Sequence, residues 1–339
     1  MKIKFIINPK SGKGNNANLR KALSERFVHF PVDIEQTAYP HHALAIARQA
    51  VKNDFDSVVA VGGDGTINEI LNGIIGTKTA LGIIPTGTAN DLASYYHIPR
   101  DINLACDLIA GRYLQPTDVI RVNGWHYLTA GGVGLPAEVA SIANAIKSKG
   151  KPGKLVEIIM GSKLYVLAVM CAWLRSTAHR NPLSIHLNDG WLRTNALSLM
   201  ANNQPFLGRN FQMSPGAVNN DGRFDICLIE SPDTLVKTLL VILKVLTGKH
   251  IYSSGVRTWR EKELIITTEK PMFFLGDGEI CQEASEFKIE VLPRAVNVIT
   301  AKTNAAAYYN GRIPTAEKTI DVSQNHGENH VVLTEKGIS

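Results

Sequence analysis

The sequence predicts a two-part fold: an α/β domain on a parallel sheet, followed by a β-rich domain with inserted helices. In the N-terminal third, short β-branched strands alternate with amphipathic segments, a pattern typical of a parallel sheet covered by helices. From Gln115 onwards, strand patterns follow one another across turns, and the Asn123-Gly124 pair is a strong hairpin signal. A chain of 339 residues that is 45% hydrophobic is long enough for two packed domains.

The composition limits the classes of function. The formal net charge of +6 and a pI near 9.0 favour anionic partners such as nucleotides, nucleic acid or an acidic membrane surface. The segment that starts at Met1 becomes glycine-rich too soon for a secretory signal and is predicted to be the first strand. The four cysteines are scattered without a CxxC pair, which argues against a zinc site or a disulfide framework and favours a reducing cytoplasm.

Any membrane contact is expected to be peripheral. The longest apolar stretch, 155–174, is interrupted by Glu157 and Lys163, which predicts a buried or surface-lying helix rather than a membrane span. A second apolar helix is predicted over 234–246, and we expect its regular face to pack in the core, with lipid contact as the alternative. That face consists of Val236, Leu239, Leu240, Leu243 and Leu246.

Hydrophobic periodicity sets the expected elements. In the α/β half the predicted strands are 3–7, 32–37, 57–61 and 80–84, and the helices start near Asn18 and cover 42–52 and 67–75. In the second half, helical sequence is expected over 137–175, with a break at 150–153. The strands expected there are 117–122, 125–130, 183–187, 192–200, 224–229, 263–268, 272–275 and 287–291.

Three polar, glycine-containing loops follow strands of the α/β half. They are NPKSGKG at 8–14, GGDGTINE at 62–69 and PTGTANDL at 85–92. Because parallel strands end at the same edge of a sheet, and open α/β sheets bind ligands there, we expect the three loops to converge on one crevice.

The GGDGT loop has the chemistry of a polyphosphate site. Its glycines let the backbone approach a ligand, and the amides around Thr66 and Ile67 begin a helix whose N-terminus favours negative charge. Asp64 would repel phosphate oxygens, so we expect it to hold a divalent cation between itself and the phosphates. The alternative is a glycine-rich turn with a solvated aspartate.

The ordered set NPKSGKG, GGDGTINE, GTANDLA, SPGAVNNDGRFD and GDGE resembles the diacylglycerol kinase catalytic-domain family, and within it the soluble bacterial lipid kinases. GGDGT alone is shared with NAD kinases and phosphofructokinases, whereas GTAND and DGE favour the lipid kinases. The resemblance implies a Rossmann-like, NAD-kinase-like α/β domain at 1–122 and a β-sandwich acceptor domain with inserted helices at 123–292. A segment at 293–302 would return to the first domain, and 303–339 would be a polar tail.

The resemblance also implies a cleft between the domains that binds ATP and Mg²⁺. The acidic network that organises the catalytic Mg²⁺ would be Asp64, Asp91 and Asp118. The residues that would contact ATP are Asn8, Thr37, Gly62, Gly63, Asp64, Gly65, Thr66, Ile67, Asn68 and Thr88.

Two further sites are carried over from the family. A structural Mg²⁺ would be held by the Asp221 carboxylate and the backbone carbonyls of Val218 and Arg223. Asp277 and Glu279 match the catalytic acidic pair, and the sequence leaves open which of them accepts the proton of the lipid hydroxyl. Both would face one cleft if their segment is extended, and the alternative is a charged hairpin turn.

We therefore expect an ATP-dependent lipid kinase, cytoplasmic and peripherally associated with the membrane. Its acceptor would be a diacylglycerol-like or related lipid, with no nucleic-acid partner and with a homodimer as one possible assembly. One alternative is an NAD-kinase-like phosphotransferase acting on a soluble hydroxyl compound. Another is a non-catalytic regulator that binds nucleotide or lipid.

Overall fold

The computed structural model describes residues 1–11, 16–148, 182–187, 190–208 and 211–302. The apolar segment 155–174, the rest of the helical region predicted beyond Ser148 and the tail 303–339 lie outside the described residues. Within the described ranges, no helix is long and apolar enough to cross a bilayer.

The N-terminal region is a parallel sheet covered by helices on both faces. Its strands are β1 (Ile3–Ile7), β2 (Val32–Gln36), β3 (Ser57–Gly62) and β4 (Ala80–Pro85), in the spatial order β2-β1-β3-β4. Its helices are α1 (Asn16–Arg26), α2 (His42–Lys52), α3 (Asp64–Ile74), α4 (Asp91–Tyr95) and α5 (Ile102–Gly111). The four predicted strands and the helix over 42–52 are confirmed, whereas α4 and α5 were not predicted.

Burial explains why three strands of this sheet, β1, β3 and β4, are nearly continuous apolar runs, unlike the edge strand β2. Every residue of β1, β3 and β4 is buried, as expected when helices cover both faces of a parallel sheet. One face packs against α2 and α3 through residues such as Ile46 and Leu71. The other packs against α1 and α5 through residues such as Leu23 and Ile109.

The second region is an antiparallel, sandwich-like arrangement. Its strands are β5 (Tyr113–Val122), β6 (Trp125–Tyr127), β7 (Ala130–Gly134), β8 (Leu183–Leu187), β9 (Gly190–Thr194), β10 (Ala196–Asn202), β11 (Phe206–Leu207), β12 (Phe211–Gln212), β13 (Phe224–Glu230), β14 (Val256–Glu261), β15 (Glu263–Gly276) and β16 (Glu279–Thr300). Its helices are α6 (Leu135–Ser148), α7 (Leu235–Val245) and a 3₁₀ turn (Lys249–Tyr252). The predicted fold class is confirmed.

Turns in this region follow the sequence signals in part. Asn123 and Gly124 have φ angles of 45° and 89° between β5 and β6, as the hairpin prediction requires. The strand predicted over 192–200 is two strands, β9 and β10, that end and begin on either side of Asn195. The strands predicted over 263–268 and 272–275 are one continuous strand, β15.

The last strand joins the two regions. β16 pairs antiparallel with β15 and β5, its register with β5 shifts between Leu292 and Val296, and Val298 then pairs parallel with Leu81 of β4. Residues near the end of the described chain therefore complete the edge of the N-terminal parallel sheet.

The predicted core face of α7 is wrong. Leu239 is half-buried, but the other four members of that face are exposed, and the inward-facing residues are Val241, Ile242 and Val245. The helix is apolar nearly all the way round, so its sequence carries two apolar stripes and periodicity alone does not decide which one packs.

Candidate active site

The glycines of two loops bring their backbones into contact at the carboxyl ends of β3 and β4. A Cβ added to Gly87 would lie 2.4 Å from the Cα of Gly63, and one added to Gly62 would lie 2.6 Å from the Cβ of Thr66. Only a residue without a side chain fits at these points. The close packing fixes the N-terminus of α3, which begins at Asp64 directly after Gly63.

A cleft of about 360 Å³ opens beside this helix N-terminus. Asn8 links the first loop to α3, since its Nδ2 donates to Thr66 Oγ1 (3.0 Å) and its Oδ1 accepts from the Lys10 amide (3.0 Å). Six of the predicted site residues line the cleft, five of them predicted nucleotide contacts: Asn8, Thr37, Gly63, Gly65, Thr66 and Glu279. Lys10, Ser11 and Glu69 line it as well.

The other predicted nucleotide residues have different surroundings. Ile67 is buried in the hydrophobic core behind α3, so only its backbone is available to a ligand. Thr88 is exposed, and its carbonyl accepts a hydrogen bond from Arg100 (3.4 Å). Asn68 points at the second region of the chain rather than into the cleft.

Asp64 lies at the first position of α3 and meets the third loop. Its two carboxylate oxygens accept the amide hydrogens of Asn90 and Asp91, both at 2.8 Å. Burial raises the pKa of Asp64 to about 6, and the nearby Asp91 and Asp277 carboxylates add to the rise. Negative charge is therefore concentrated at this end of the sheet.

The three predicted magnesium aspartates are held by different backbone groups. Asp91 accepts the amide hydrogen of Gly208 (2.6 Å), and its own amide bonds Asp64. Asp118 accepts the amides of Gly222 (2.6 Å) and Arg294 (2.7 Å), and burial raises its pKa. The structure thus brings Asp64 and Asp91 together and places Asp118 against the loop that contains Gly222.

Asp64 and Asp91 carry the negative charge that a divalent cation needs, but these two carboxylates are not a complete set of ligands. Among the described residues, no three His, Cys, Asp or Glu side chains lie close enough to hold a metal between them. Burial first, and then the neighbouring Asp91 carboxylate, disfavour the charged form of Asp64 and raise its pKa, and a bound cation would favour that charged form. Water and phosphate oxygens would have to complete an Mg²⁺ shell here, so the catalytic metal stays a prediction.

The proposed structural metal segment already contains a positive charge. Asp221 Oδ1 accepts the amide of Arg223 (3.1 Å), and its Oδ2 lies 2.5 Å from Nη2 of Arg260. Nε of Arg260 is also 3.4 Å from Oδ1 of Asp225. The Arg260 guanidinium therefore already pairs with the Asp221 carboxylate, which is the charged ligand that an ion at Val218, Asp221 and Arg223 would need. That structural Mg²⁺ stays a prediction.

The predicted catalytic pair, Asp277 and Glu279, lies at the hairpin between β15 and β16. Asp277 and Gly278 have φ angles of 52° and 83°, so the segment is a tight turn and not extended. The condition under which both carboxylates would face the same side is therefore not met.

The Asp277 carboxylate is buried and fully engaged. It accepts from the Leu128 amide (3.1 Å), the Thr129 amide (2.7 Å) and Thr129 Oγ1 (2.7 Å). Asn68 Nδ2 on α3 donates to its other oxygen at 2.7 Å. Burial raises its pKa, and these donors oppose that rise. Asp277 thus clamps the second region onto α3.

Glu279 has the opposite environment. It is exposed, it lines the cleft, and its Oε1 lies 3.7 Å from the point where a Cβ on Gly65 would be. Its carboxylate therefore lies close to the helix N-terminus and lines the same cleft. The two members of the pair, separated by one residue, have different surroundings and can do different chemistry.

The residues at the joint between the regions include two that sequence reasoning missed. Asn72 Nδ2 donates to the His126 carbonyl (3.0 Å), as Asn68 does (2.9 Å). Thr129 supplies two of the hydrogen bonds on Asp277. The available signal was the spacing of Asn68 and Asn72, because residues four apart share a face of a helix.

Comparisons with known proteins cover nearly all of the described chain. The model of the diacylglycerol kinase catalytic domain matches residues 2–122, and that of the YegS C-terminal NAD kinase beta sandwich-like domain matches residues 132–300. A solved structure titled a diacylglycerol kinase from Bacillus anthracis str. Sterne shares the fold, with a TM-score of 0.65 at 21% identity, over 89% of this chain and 97% of that one.

Curated relatives agree. A diacylglycerol kinase of Bacillus subtilis (strain 168) is 27% identical over 281 residues, 81% of this chain and 89% of the relative. A protein named "Probable lipid kinase YegS-like" of Klebsiella pneumoniae (strain 342) is 30% identical over 300 residues, 86% of this chain and 93% of the relative. The ordered motifs, the two-region fold and these relatives place the chain in the diacylglycerol kinase catalytic-domain family of lipid kinase-type phosphotransferases.

Proposed function

We propose that the protein transfers the γ-phosphoryl group of ATP to a hydroxyl of a diacylglycerol-like lipid. The observation that carries this proposal is the position of Glu279. A carboxylate from the second region lines the same cleft as the glycine loops and the N-terminus of α3. Phosphoryl transfer requires a phosphate-binding surface opposite a group that receives the acceptor's proton.

The phosphates of ATP would lie on the backbone wall of the cleft. The N-terminus of α3 offers free amide groups and a favourable dipole to negative charge. Asn8 and Thr66, which bond each other, border the same space, and Lys10 adds a positive charge at its edge.

Glu279 is the better candidate for the proton acceptor. Four donor groups hold the buried Asp277 carboxylate in place, whereas Glu279 is exposed in the cleft. The lipid hydroxyl oxygen forms a bond to the γ-phosphorus, the bond from phosphorus to the bridging oxygen breaks, and ADP leaves. The hydroxyl proton passes to the Glu279 carboxylate. Asp277 acts as a positioning residue that fixes the turn.

Asp64 and Asp91 are the residues that would hold a catalytic Mg²⁺, together with water and phosphate oxygens. A bound divalent cation supplies neutralisation of the phosphate charge. The half-buried position of Asp64 and its contacts with the Asn90 and Asp91 amides keep its carboxylate fixed beside the phosphate wall.

Incubation with labelled ATP, Mg²⁺ and a panel of lipids in mixed micelles tests the proposal. We expect label on a lipid with a free hydroxyl group, with diacylglycerol, phosphatidylglycerol, a sphingoid base and ceramide in the panel. Label on NAD and on no lipid would instead support the soluble-acceptor alternative. ATP binding without transfer to any acceptor would support the regulatory alternative.

A further inference from the structure

The outward side of α7 exposes a set of large apolar side chains. The exposed fractions are 66% for Val236, 53% for Leu240, 59% for Leu243 and 43% for Leu246. Tyr252, in the 3₁₀ turn that follows, is 65% exposed. We call these five residues the α7 outer face. Their spacing of three or four positions along α7 places the helical members side by side along one stripe.

Positive charges border the α7 outer face. Lys237 and Lys244 lie on the helix and Lys249 follows it, whereas Asp233 is the one acidic residue between 231 and 255. Lys237 pairs with Asp233 (3.0 Å), and Lys244 Nζ donates to Ser253 Oγ (2.9 Å). The segment therefore combines an exposed apolar stripe with net positive charge.

We infer that the α7 outer face docks on an anionic phospholipid bilayer. A helix whose exposed side is apolar and bordered by lysines can lie in the plane of the interface, its exposed apolar side chains below the headgroups and its cations among them. A second copy of the chain is a poorer match, because a symmetric contact would bring the same lysines together. This inference deepens the proposed function and rests on it for its purpose, since a lipid acceptor has to be met at a bilayer.

The inner side of α7 connects this face to the acidic site. Beneath it lies an apolar cavity of about 60 Å³, lined in part by Val241, Ile242 and Leu207. The residue after Leu207 is Gly208, whose amide donates to Asp91 at 2.6 Å. A chain of neighbouring residues thus runs from α7 through Leu207 and Gly208 to Asp91 of the acidic site.

Vesicle co-sedimentation without nucleotide tests the docking surface. The full chain is mixed with phosphatidylcholine vesicles and with vesicles that also contain phosphatidylglycerol. We expect the wild type to bind the anionic vesicles. The affinity of Leu240→Glu/Leu243→Glu for these vesicles should be lower by roughly tenfold or more, because each change removes a leucine from the interface. The matched control is Leu104→Glu, a leucine 56% exposed on α5, which should bind like the wild type.

The lysines are tested separately. Lys244→Gln/Lys249→Gln should weaken binding to the anionic vesicles by roughly fivefold per lysine, and the difference should shrink as salt is raised. Binding to pure phosphatidylcholine should change little in this variant. Loss that is equal for both kinds of vesicle would overturn the role of the charges.

Several results would overturn the proposal. Wild-type binding no stronger to anionic vesicles than to phosphatidylcholine alone would do so, as would unchanged binding by the double glutamate variant. A fall in particle mass in that variant, without wild-type vesicle binding, would instead identify a second copy as the partner. Thermal unfolding checks that the variants fold, and Leu240→Asn/Leu243→Asn gives the same test without new charge.

Turnover of a short-chain, water-dispersed diacylglycerol separates this proposal from the proposed function. The double variants should keep wild-type turnover on that acceptor and lose it on vesicle-embedded acceptor. If no acceptor is phosphorylated by the wild type but vesicle binding depends on the α7 outer face, the proposed function fails and the docking surface stands.

Discussion

The two walls of the cleft are built differently. The wall from the parallel sheet is built around backbone, namely two glycine loops in contact and the N-terminus of α3, with side chains such as Asn8 and Thr66 beside it. The opposite wall carries the exposed side chain of Glu279, on a tight turn that the buried, hydrogen-bonded Asp277 anchors. The backbone wall requires glycines, because there is no room for a Cβ. The side-chain wall requires two carboxylates, Asp277 and Glu279, whose surroundings are opposite.

This difference teaches how the two walls respond to mutation. A backbone wall fails when atoms are added, because there is no room for a Cβ. A side-chain wall fails when a single functional group is removed. Within the side-chain wall, Asp277 should affect mainly stability and Glu279 should affect mainly turnover.

The largest effect is expected for Glu279→Gln. Removal of the proton acceptor should lower kcat by about 100- to 10,000-fold and leave ATP affinity and thermal stability close to those of the wild type. Steady-state kinetics and nucleotide titration measure both. Glu283→Gln, an exposed carboxylate on the same strand, is the matched control and should be fully active. Equal loss in both variants would contradict the assignment.

Asp277→Asn should act first on stability. The side-chain nitrogen introduced at position 277 would face N–H and O–H groups that donate to the carboxylate in the wild type. Each buried donor left without an acceptor costs about 1–3 kcal/mol. Urea unfolding should therefore show a clearly lower free energy than for Glu279→Gln. If Asp277→Asn is as stable as the wild type but inactive, Asp277 rather than Glu279 is the group that handles the proton.

The pH dependence of stability should report on Asp64. Burial raises its folded-state pKa to about 6 from 3.8, so its contribution is fully present below about pH 4 and is lost as pH rises through about 6. In metal-free protein, the wild type should lose up to about 3 kcal/mol relative to Asp64→Asn across that range.

The measurement for Asp64 is urea unfolding of both proteins at a series of pH values. Adding Mg²⁺ above pH 6 should stabilise the wild type more than Asp64→Asn, because the cation neutralises the charge of the half-buried carboxylate. A difference between the two proteins that does not change with pH or with Mg²⁺ would argue against both the charge and its metal.

The smallest effect is expected for Gly87→Ala on the backbone wall. Its Cβ would lie 2.4 Å from the Cα of Gly63, so the two loops must separate. The KM for ATP should rise roughly tenfold, which corresponds to about 1.4 kcal/mol, while kcat changes less. Gly111→Ala, with open space around the added Cβ, is the control. An unchanged KM would show that the contact of the loops does not shape the nucleotide site.

The backbone wall could be predicted from sequence because its determinants are local. The strand, the GGDGT turn and the helix follow one another within β3 and α3, and the glycine spacing indicates a ligand at a helix N-terminus. The start of α3 is earlier than expected, at Asp64 rather than Ile67, since the helix begins within the loop motif itself.

The rest of the site depends on contacts between distant residues. The Asn68–Asp277 hydrogen bond joins positions 209 residues apart, and no pattern within one sequence identifies such a pair. The turn at Asp277 and Gly278 could be read from its residue types, but not the direction in which each carboxylate points. The two apolar stripes of α7 present the same problem, because tertiary packing selects between them.

The course of β16 has a consequence for folding. A chain emerging from the ribosome makes β1 to β4 long before residue 298 exists, and until then the edge of β4 that pairs with Val298 has no neighbour. The N-terminal sheet therefore gains its last strand only when the segment beyond the Asp277-Gly278 turn is available. Because the same strand begins at Glu279, the strand that closes the sheet edge also forms one side of the turn at Asp277 and Gly278.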